Sequence, residues 1–204
     1  MHLWDQRILG FAILVFLGVL VTVKRMATGS VLDRPTGGLL FQLVNIFNLL
    51  FLLVVNPAAA VLLIARRLEA FDPTHVTIDA PSFLIFLESA GILLYVAGFL
   101  LMAWALVSLG RNYQLGGSAP RRTDLIIKNG PYGLVRHPMY SAASSISSGL
   151  ACLTQSIAFF SVFCIYVVLI LLLIPLEEKG LREAYGKEYV AYQQSAAKLL
   201  PFIY

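Results

Sequence analysis

Two runs of this sequence hold residue types that can do chemistry. The first is Lys128-Asn129-Gly130-Pro131-Tyr132-Gly133-Leu134-Val135-Arg136-His137-Pro138-Met139-Tyr140, a Gly-Pro turn followed by a His-Pro pair at the mouth of an apolar stretch. Proline suits the first position of a helix, so Pro138 predicts a helix start with His137 near its N-cap. Free N–H groups and the positive end of the helix dipole then face that spot. With the permanent cation of Arg136 beside it, a ligand carboxylate would be well held there. The structural alternative is Arg136 against lipid headgroups and His137 as a plain cap. The second run, from Pro175 to Tyr192, puts Glu177 and Glu178 at the end of another apolar stretch, level with Arg136 and His137. Carboxylates at that level can accept hydrogen bonds from a ribose diol or neutralise a cationic ligand. Further along, Glu178 with Arg182 and Glu183 with Lys187 are i, i+4 pairs in the favourable order. Leu181, Tyr185, Tyr189 and Tyr192 share one face, which predicts an amphipathic helix at the membrane interface.

The elements that must position these residues are membrane helices. Of 204 residues, 59% are hydrophobic and 13% charged, and the mean hydropathy is +0.81. Soluble domains carry roughly a quarter charged residues, so this chain cannot clothe itself in polar groups. That excludes a soluble dinucleotide-binding enzyme, a nucleic-acid-binding domain and a disordered chain. Apolar stretches over residues 8–23, 39–65, 83–107, 140–153 and 157–174 predict five crossings, at about 20 residues for a full one. The fourth is short, which suggests tilt or a partly interfacial position. The last two are joined only by Thr154, Gln155 and Ser156, which makes them an antiparallel hairpin. The first stretch lacks the flanks and cleavage site of a signal peptide and reads as a retained helix. The expected fold is therefore an all-α integral membrane protein. Residues 1–107 supply three helices; residues 108–204 supply a cofactor-binding loop, the hairpin and the C-terminal segment of one structural unit.

Charge placement gives an orientation. Twelve of the fifteen Lys and Arg fall in loops 24–38 and 108–139 and in the tail, against Arg7, Arg66 and Arg67 on the other face. By the positive-inside rule the C-terminus is expected in the cytoplasm and the N-terminus outside, in a membrane expected to be a prokaryotic inner membrane. Within the crossings, Gln42, Asn45, Asn48 and Asn56 form a polar stripe, and Ser141, Ser144, Ser145, Ser148 and Cys152 form another. Helix–helix packing is the expectation for both, with a polar cavity lining as the alternative. Glu88 is expected to snorkel to the interface. Cys152 and Cys164, both in apolar runs, are expected to be small core residues rather than a disulfide or a metal pair, and the three His offer no metal-site spacing.

The run GPYGLVRHPMY, then EEKGLREAYGKEYVAY about forty residues later and a closing LLPFI, resembles the isoprenylcysteine carboxyl methyltransferase family. Related phospholipid N-methyltransferases share much of this pattern, which spans residues 105–204. The resemblance implies S-adenosylmethionine as cofactor, in a cytoplasm-facing pocket roofed by the C-terminal segment. It places Asp124, Leu125, Ile126 and Ile127 at the adenosine end, with Gly130 in the adjoining turn. Tyr132, His137, Pro138, Met139 and Tyr140 would surround the methionine part, and Glu177 would contact the cofactor with Glu178 supporting it. Members acting on prenylated cysteine carry an Arg one turn before the paired Glu; here that position is Leu173, which counts against a prenylcysteine carboxylate as acceptor.

Arg136, His137, Glu177 and Glu178 are thus the expected catalytic group, acting on a lipidic or small hydrophobic acceptor that enters from the bilayer. Methyl transfer from a sulfonium relies on alignment in a dry pocket. A carboxylate or thiolate acceptor needs no base, whereas an amine would draw on Glu177, Glu178 or His137. No G-x-G-x-x-G occurs, so the cofactor is not held as in dinucleotide folds. Two other classes stay open: an NADPH-dependent sterol or isoprenoid reductase, with Arg121-Arg122 for the 2′-phosphate, and a non-catalytic membrane scaffold. No nucleic-acid partner is expected, and the oligomeric state is left open.

Overall fold

The structure, a computed structural model, describes residues 4–32, 37–112 and 125–201. Helix α1 (Gln6–Thr28) starts where the Asp5 carboxylate accepts from the Arg7 amide at 2.8 Å and stops at Gly29. Helix α2 (Leu39–Leu50) passes without a break through a π-helical turn, Phe51–Val55, into α3 (Asn56–Ile64). Pro57 explains the turn: it has no N–H to return to the preceding helix, and the backbone widens to absorb the loss. Asn56 closes the gap, its Nδ2 donating to the Phe51 carbonyl at 3.0 Å while its Oδ1 accepts from the Tyr95 hydroxyl at 2.8 Å. After a short α4 (Leu68–Phe71) come α5 (Pro81–Leu109), α6 (Pro138–Thr154), α7 (Ile157–Tyr185) and α8 (Lys187–Ser195). Among the described residues the fold is all-helical, with no strand.

Four of these helical segments, Gln6–Thr28, Leu39–Ile64, Pro81–Leu109 and Ile157–Tyr185, are long and apolar enough to cross a membrane. The chain is a multi-pass membrane protein. The fourth expected crossing is α6, which has 17 residues and is held by protein on much of its surface. It lies along α5 in the most extensive helix–helix contact of the molecule. Small residues permit it: a Cβ on Gly149 would sit 2.6 Å from the Tyr95 amide nitrogen. Ser145 Oγ donates to the Leu94 carbonyl at 2.7 Å, so this part of the serine stripe serves packing. At the far end Gln155 turns the chain with φ 52°, and Ser156 caps α7 by accepting from the Phe159 amide. The hairpin is as expected.

Glu88 departs from expectation. It is 1% exposed rather than snorkelled, with Gln155 Nε2 at 3.4 Å from its Oε1. The hairpin turn bends over the end of α5 and takes the place that headgroups would have had. The 175–192 run also differs from a single surface helix. Helix α7 carries on through Pro175 to Tyr185, and the chain breaks at Gly186 before α8.

Candidate active site

The site is assembled by three crossings of chain at one end of the bundle. Gly130 opens the 3₁₀ turn Gly130–Gly133 with φ +60°, and a Cβ there would strike the Ser108 hydroxyl and the Trp104 indole. Only glycine lets this loop lie so close to α5. From the turn the chain runs beside the C-terminal tail. Ala197 donates to the Leu134 carbonyl (3.1 Å), Arg136 donates to that of Ala197 (2.8 Å), and His137 to that of Lys198 (3.1 Å). His137 is the N-cap of α6 and Pro138 its first residue, as the sequence predicts.

Glu177 and Glu178 are neighbours in sequence with opposite surroundings, because successive helix positions point about 100° apart. Glu178 is buried. Its Oε1 accepts from Arg136 Nε at 2.8 Å and lies 3.3 Å from His137 Nε2, and its Oε2 accepts from Gln193 Nε2 at 3.0 Å. One carboxylate therefore ties the loop before α6, the end of α7 and helix α8 together. Arg136 is committed to the same knot, donating from Nη1 to the carbonyls of Gln193 and Ala196. The i, i+4 pairing of Glu178 with Arg182 read from the sequence gives way to this inward arrangement. Glu177 instead faces a cavity. Tyr140 donates its hydroxyl to Glu177 Oε2 at 2.9 Å, and His137 Nδ1 lies 3.7 Å from the same oxygen. The imidazole stacks on the Tyr140 ring at 5.7 Å.

The cavity has a volume of about 590 Å³, within the usual range for a small-molecule site. Its wall at this end takes Leu125, Ile126 and Ile127 from the loop, Tyr132, Arg136, His137, Pro138, Met139 and Tyr140 from the turn and α6, and Glu177 from α7. Tyr185, Tyr189 and Tyr192 close it from α7 and α8. The tyrosine face read from the sequence thus looks into the cavity. Tyr192 donates to the Tyr132 carbonyl at 2.6 Å, latching α8 onto the turn. Burial pushes the Tyr192 phenol up to about 12, Arg136 pulling it back and Glu178 adding to the rise. Burial also raises Tyr189, with the two glutamates reinforcing it. The Tyr189 hydroxyl has no partner among the described residues.

Of the residues singled out from the sequence, Gly130 and Glu178 stand behind the wall rather than on it, and Asp124 lies outside the described residues, as do Arg121 and Arg122. Leu173, at the position where an Arg would have been informative, is 1% exposed in the core. Asn45 and Asn48 of the polar stripe do line the cavity, joined by Tyr166, which the sequence reading passed over. Its signal was position: a tyrosine mid-way along an apolar stretch, away from the interfacial belt where tyrosines gather.

Comparison with known proteins places this architecture. The family model described as phospholipid methyltransferase matches residues 87–188, half of the chain. The chain belongs to the phospholipid methyltransferase family. It is a membrane methyltransferase, and the family implies S-adenosylmethionine as methyl donor. The matched span runs from within α5 to the start of α8 and includes every described wall residue of the loop and turn, together with Glu177 and Glu178. Among solved structures, the chain is similar to the eukaryotic intramembrane Ras methyltransferase ICMT (isoprenylcysteine carboxyl methyltransferase). The identity is 18%, the TM-score 0.52, and the alignment covers 92% of this chain and 74% of that one. At that identity the likeness speaks for the fold. No curated protein matches the sequence. For a phospholipid methyltransferase family member, the reductase and scaffold readings lose their footing.

Proposed function

We propose that this enzyme binds S-adenosylmethionine in the loop-and-tyrosine end of the cavity and methylates an amphiphilic acceptor that enters from the bilayer. The residues present fit such a cofactor. The wall is mostly apolar, it carries one carboxylate held open to the cavity, and it includes Tyr189, whose buried hydroxyl has no partner among the described residues. Leu125, Ile126 and Ile127 would cover the adenine, and Tyr132, Pro138, Met139 and Tyr140 the methionine chain. Glu177 would accept hydrogen bonds from the cofactor's hydroxyl or ammonium groups. When bound, the cofactor supplies an electrophilic methyl group on a cationic sulfur. Arg136 and Glu178 are positioning residues in this reading. They fix His137 and the α8 roof, and so keep the site dry.

The observation that carries the choice of acceptor is the division of labour between the two glutamates. Arg136 is neutralised by Glu178, Leu173 replaces a cation, and the carboxylate left facing the cavity is Glu177. A negative group there disfavours an acidic acceptor and suits an amine. An amine attacks through its lone pair and, on gaining a methyl, gives up a proton; Glu177, with His137 beside it, is placed to take it. Five crossings are part of this reading, with α6 spanning against α5, the N-terminus outside, and the loop, α8 and C-terminus in the cytoplasm. Residues 1–107 and 108–204 act as one unit, since both line the cavity.

The test is calorimetric titration of the detergent-purified protein with S-adenosylhomocysteine, beside NADPH. Micromolar binding of the homocysteine compound that weakens at least tenfold in Glu177→Gln and His137→Ala is the expected result. Absence of binding, or a preference for NADPH, would refute the proposal.

A further inference from the structure

Past the reacting end, the same cavity continues between α1, α2, α5 and α7 as an apolar arm with Leu17, Leu49, Leu52 and Met102 on its wall. Asn45, Asn48 and Tyr166 interrupt it with polar side chains. Asn45 is 8% and Tyr166 1% exposed. Both line the cavity, and neither Asn45 Nδ2 nor the Tyr166 hydroxyl has a hydrogen-bond partner among the described residues. Asn48, one turn on from Asn45, lies beside the Tyr166 hydroxyl on the same wall. The Tyr166 ring is held by stacking on Phe47 at 5.4 Å. Buried donors are ordinarily satisfied, and an orphan forfeits its hydration. Two orphans on the wall of one cavity are a feature that packing does not account for.

Their position ties them to the reaction. Tyr166 and Glu177 are eleven residues apart on α7, which places them within about 20° of one face and about 16 Å apart along the axis. A chain molecule with its reacting head at Glu177 therefore runs past Tyr166 and Asn45.

We propose that Asn45 and Tyr166 determine acceptor specificity by donating hydrogen bonds to an uncharged oxygen, an amide or ester carbonyl, carried by the acceptor a few bonds below its reacting group. The inference rests on the methyltransferase reading and names the acceptor's second recognition element. Asn45 Nδ2 can only donate and the Tyr166 hydroxyl can donate beside it, so the partner that satisfies both is an acceptor atom. It is uncharged because the cations on the wall are engaged elsewhere. Lys24 bonds the Ser30 and Val31 carbonyls, and Arg136 bonds Glu178. An anion among Leu17, Leu49 and Met102 would be strongly penalised.

The experiment uses the full chain in phosphatidylcholine nanodiscs loaded with S-adenosylhomocysteine. Two probes of equal length are compared in equilibrium binding: N-(2-aminoethyl)dodecanamide, which has the carbonyl, and pentadecylamine, which lacks it. The wild type is expected to bind the amide about tenfold more tightly, the usual worth of buried hydrogen bonds. Tyr166→Phe keeps the stacked ring and Asn45→Leu keeps the volume. Each is expected to erase the preference with the homocysteine compound still bound at wild-type affinity. Equal binding of the two probes by the wild type, binding of neither, or a preference that survives both variants overturns the proposal. A variant that loses the homocysteine compound along with the preference also overturns it, because the two donors would then serve the cofactor. A wild type that fails to bind the homocysteine compound at all is a failure of the methyltransferase reading itself, and is seen before any probe is added.

Discussion

Replacing Glu178 by Leu tests the knot that holds the roof of the site. In the native protein the Arg136 and Glu178 side chains are 9% and 7% exposed and 2.8 Å apart. Without the carboxylate, the guanidinium stays buried with only the Gln193 and Ala196 carbonyls as partners. Removing one member of a buried pair costs about 3–5 kcal/mol. The reverse deletion, Arg136→Met, leaves Glu178 with His137 and Gln193, so the loss is nearer that of one charge-assisted bond, about 1.5–3 kcal/mol. Replacing both removes the stranded charge as well, and apolar substitutes for a buried pair are often close to neutral. The double variant is therefore expected to be more stable than Glu178→Leu alone, with a coupling energy of about 2 kcal/mol or more. Equilibrium unfolding in mixed detergent micelles, followed by circular dichroism, measures all four forms. Affinity for S-adenosylhomocysteine provides a second readout. It is expected to fall in all three variants, including the double one, because each loses the Arg136–Glu178 pair that joins the loop to the end of α7 and to α8. Costs that simply add to within about 0.5 kcal/mol would refute the reasoning. So would a double variant that regains full affinity.

Other expectations follow from single contacts. Tyr140→Phe removes the hydroxyl that orients Glu177 and is expected to weaken S-adenosylhomocysteine binding about fivefold, at about 1 kcal/mol for the hydrogen bond, with unchanged thermal stability as the check on folding. Gly130→Ala forces a Cβ into a left-handed turn against Ser108 and Trp104, for a loss of about 1–3 kcal/mol read as a lowered melting temperature. Because the folded-state Tyr192 phenol is raised from 10.0 to about 12, its contribution to stability is complete below pH 10 and is lost as the pH rises through about 12. Melting temperatures between these limits should fall less steeply in Tyr192→Phe. In the loop after α4, burial would raise the Asp72 carboxyl, but the Ser156 and Thr74 hydroxyls and the Thr74 amide outweigh it and hold it low. The stability it brings is present above the ordinary carboxylate range and lost as the pH falls, so Asp72→Asn should flatten the acid side of the same profile.

The membrane class, the hairpin and the grouping of Arg136, His137, Glu177 and Glu178 were legible because each is written in local sequence. Hydropathy marks the long helices, Pro138 fixes where α6 begins, and the adjacent Glu177 and Glu178 stand at one level with Arg136 and His137. What sequence could not assign was direction. Whether a glutamate faces a cavity or a buried guanidinium depends on the angular position of α7 against α6 and α8, which is a matter of packing between segments distant in the chain. The same cause explains Glu88. Its distance from a helix end suggests an escape to the interface, and only the folded hairpin turn, bringing Gln155 over it, removes that route. Tyr185, Tyr189 and Tyr192 make the point from the other side. Their common face is plain in the sequence, but a helix with an apolar aromatic face can lie on lipid or on protein, and periodicity is identical in the two cases. The choice is made by Tyr192 finding the Tyr132 carbonyl and by Glu178 finding Gln193. These are contacts in which the same residues that close the cavity also bind the roof to its floor. The loop, α7 and α8 are thus joined by a buried charge-assisted bond, whereas the arm past Asn45 and Tyr166 is walled mostly by apolar side chains. Under the proposed function, this asymmetry favours exchange of the acceptor through the bilayer.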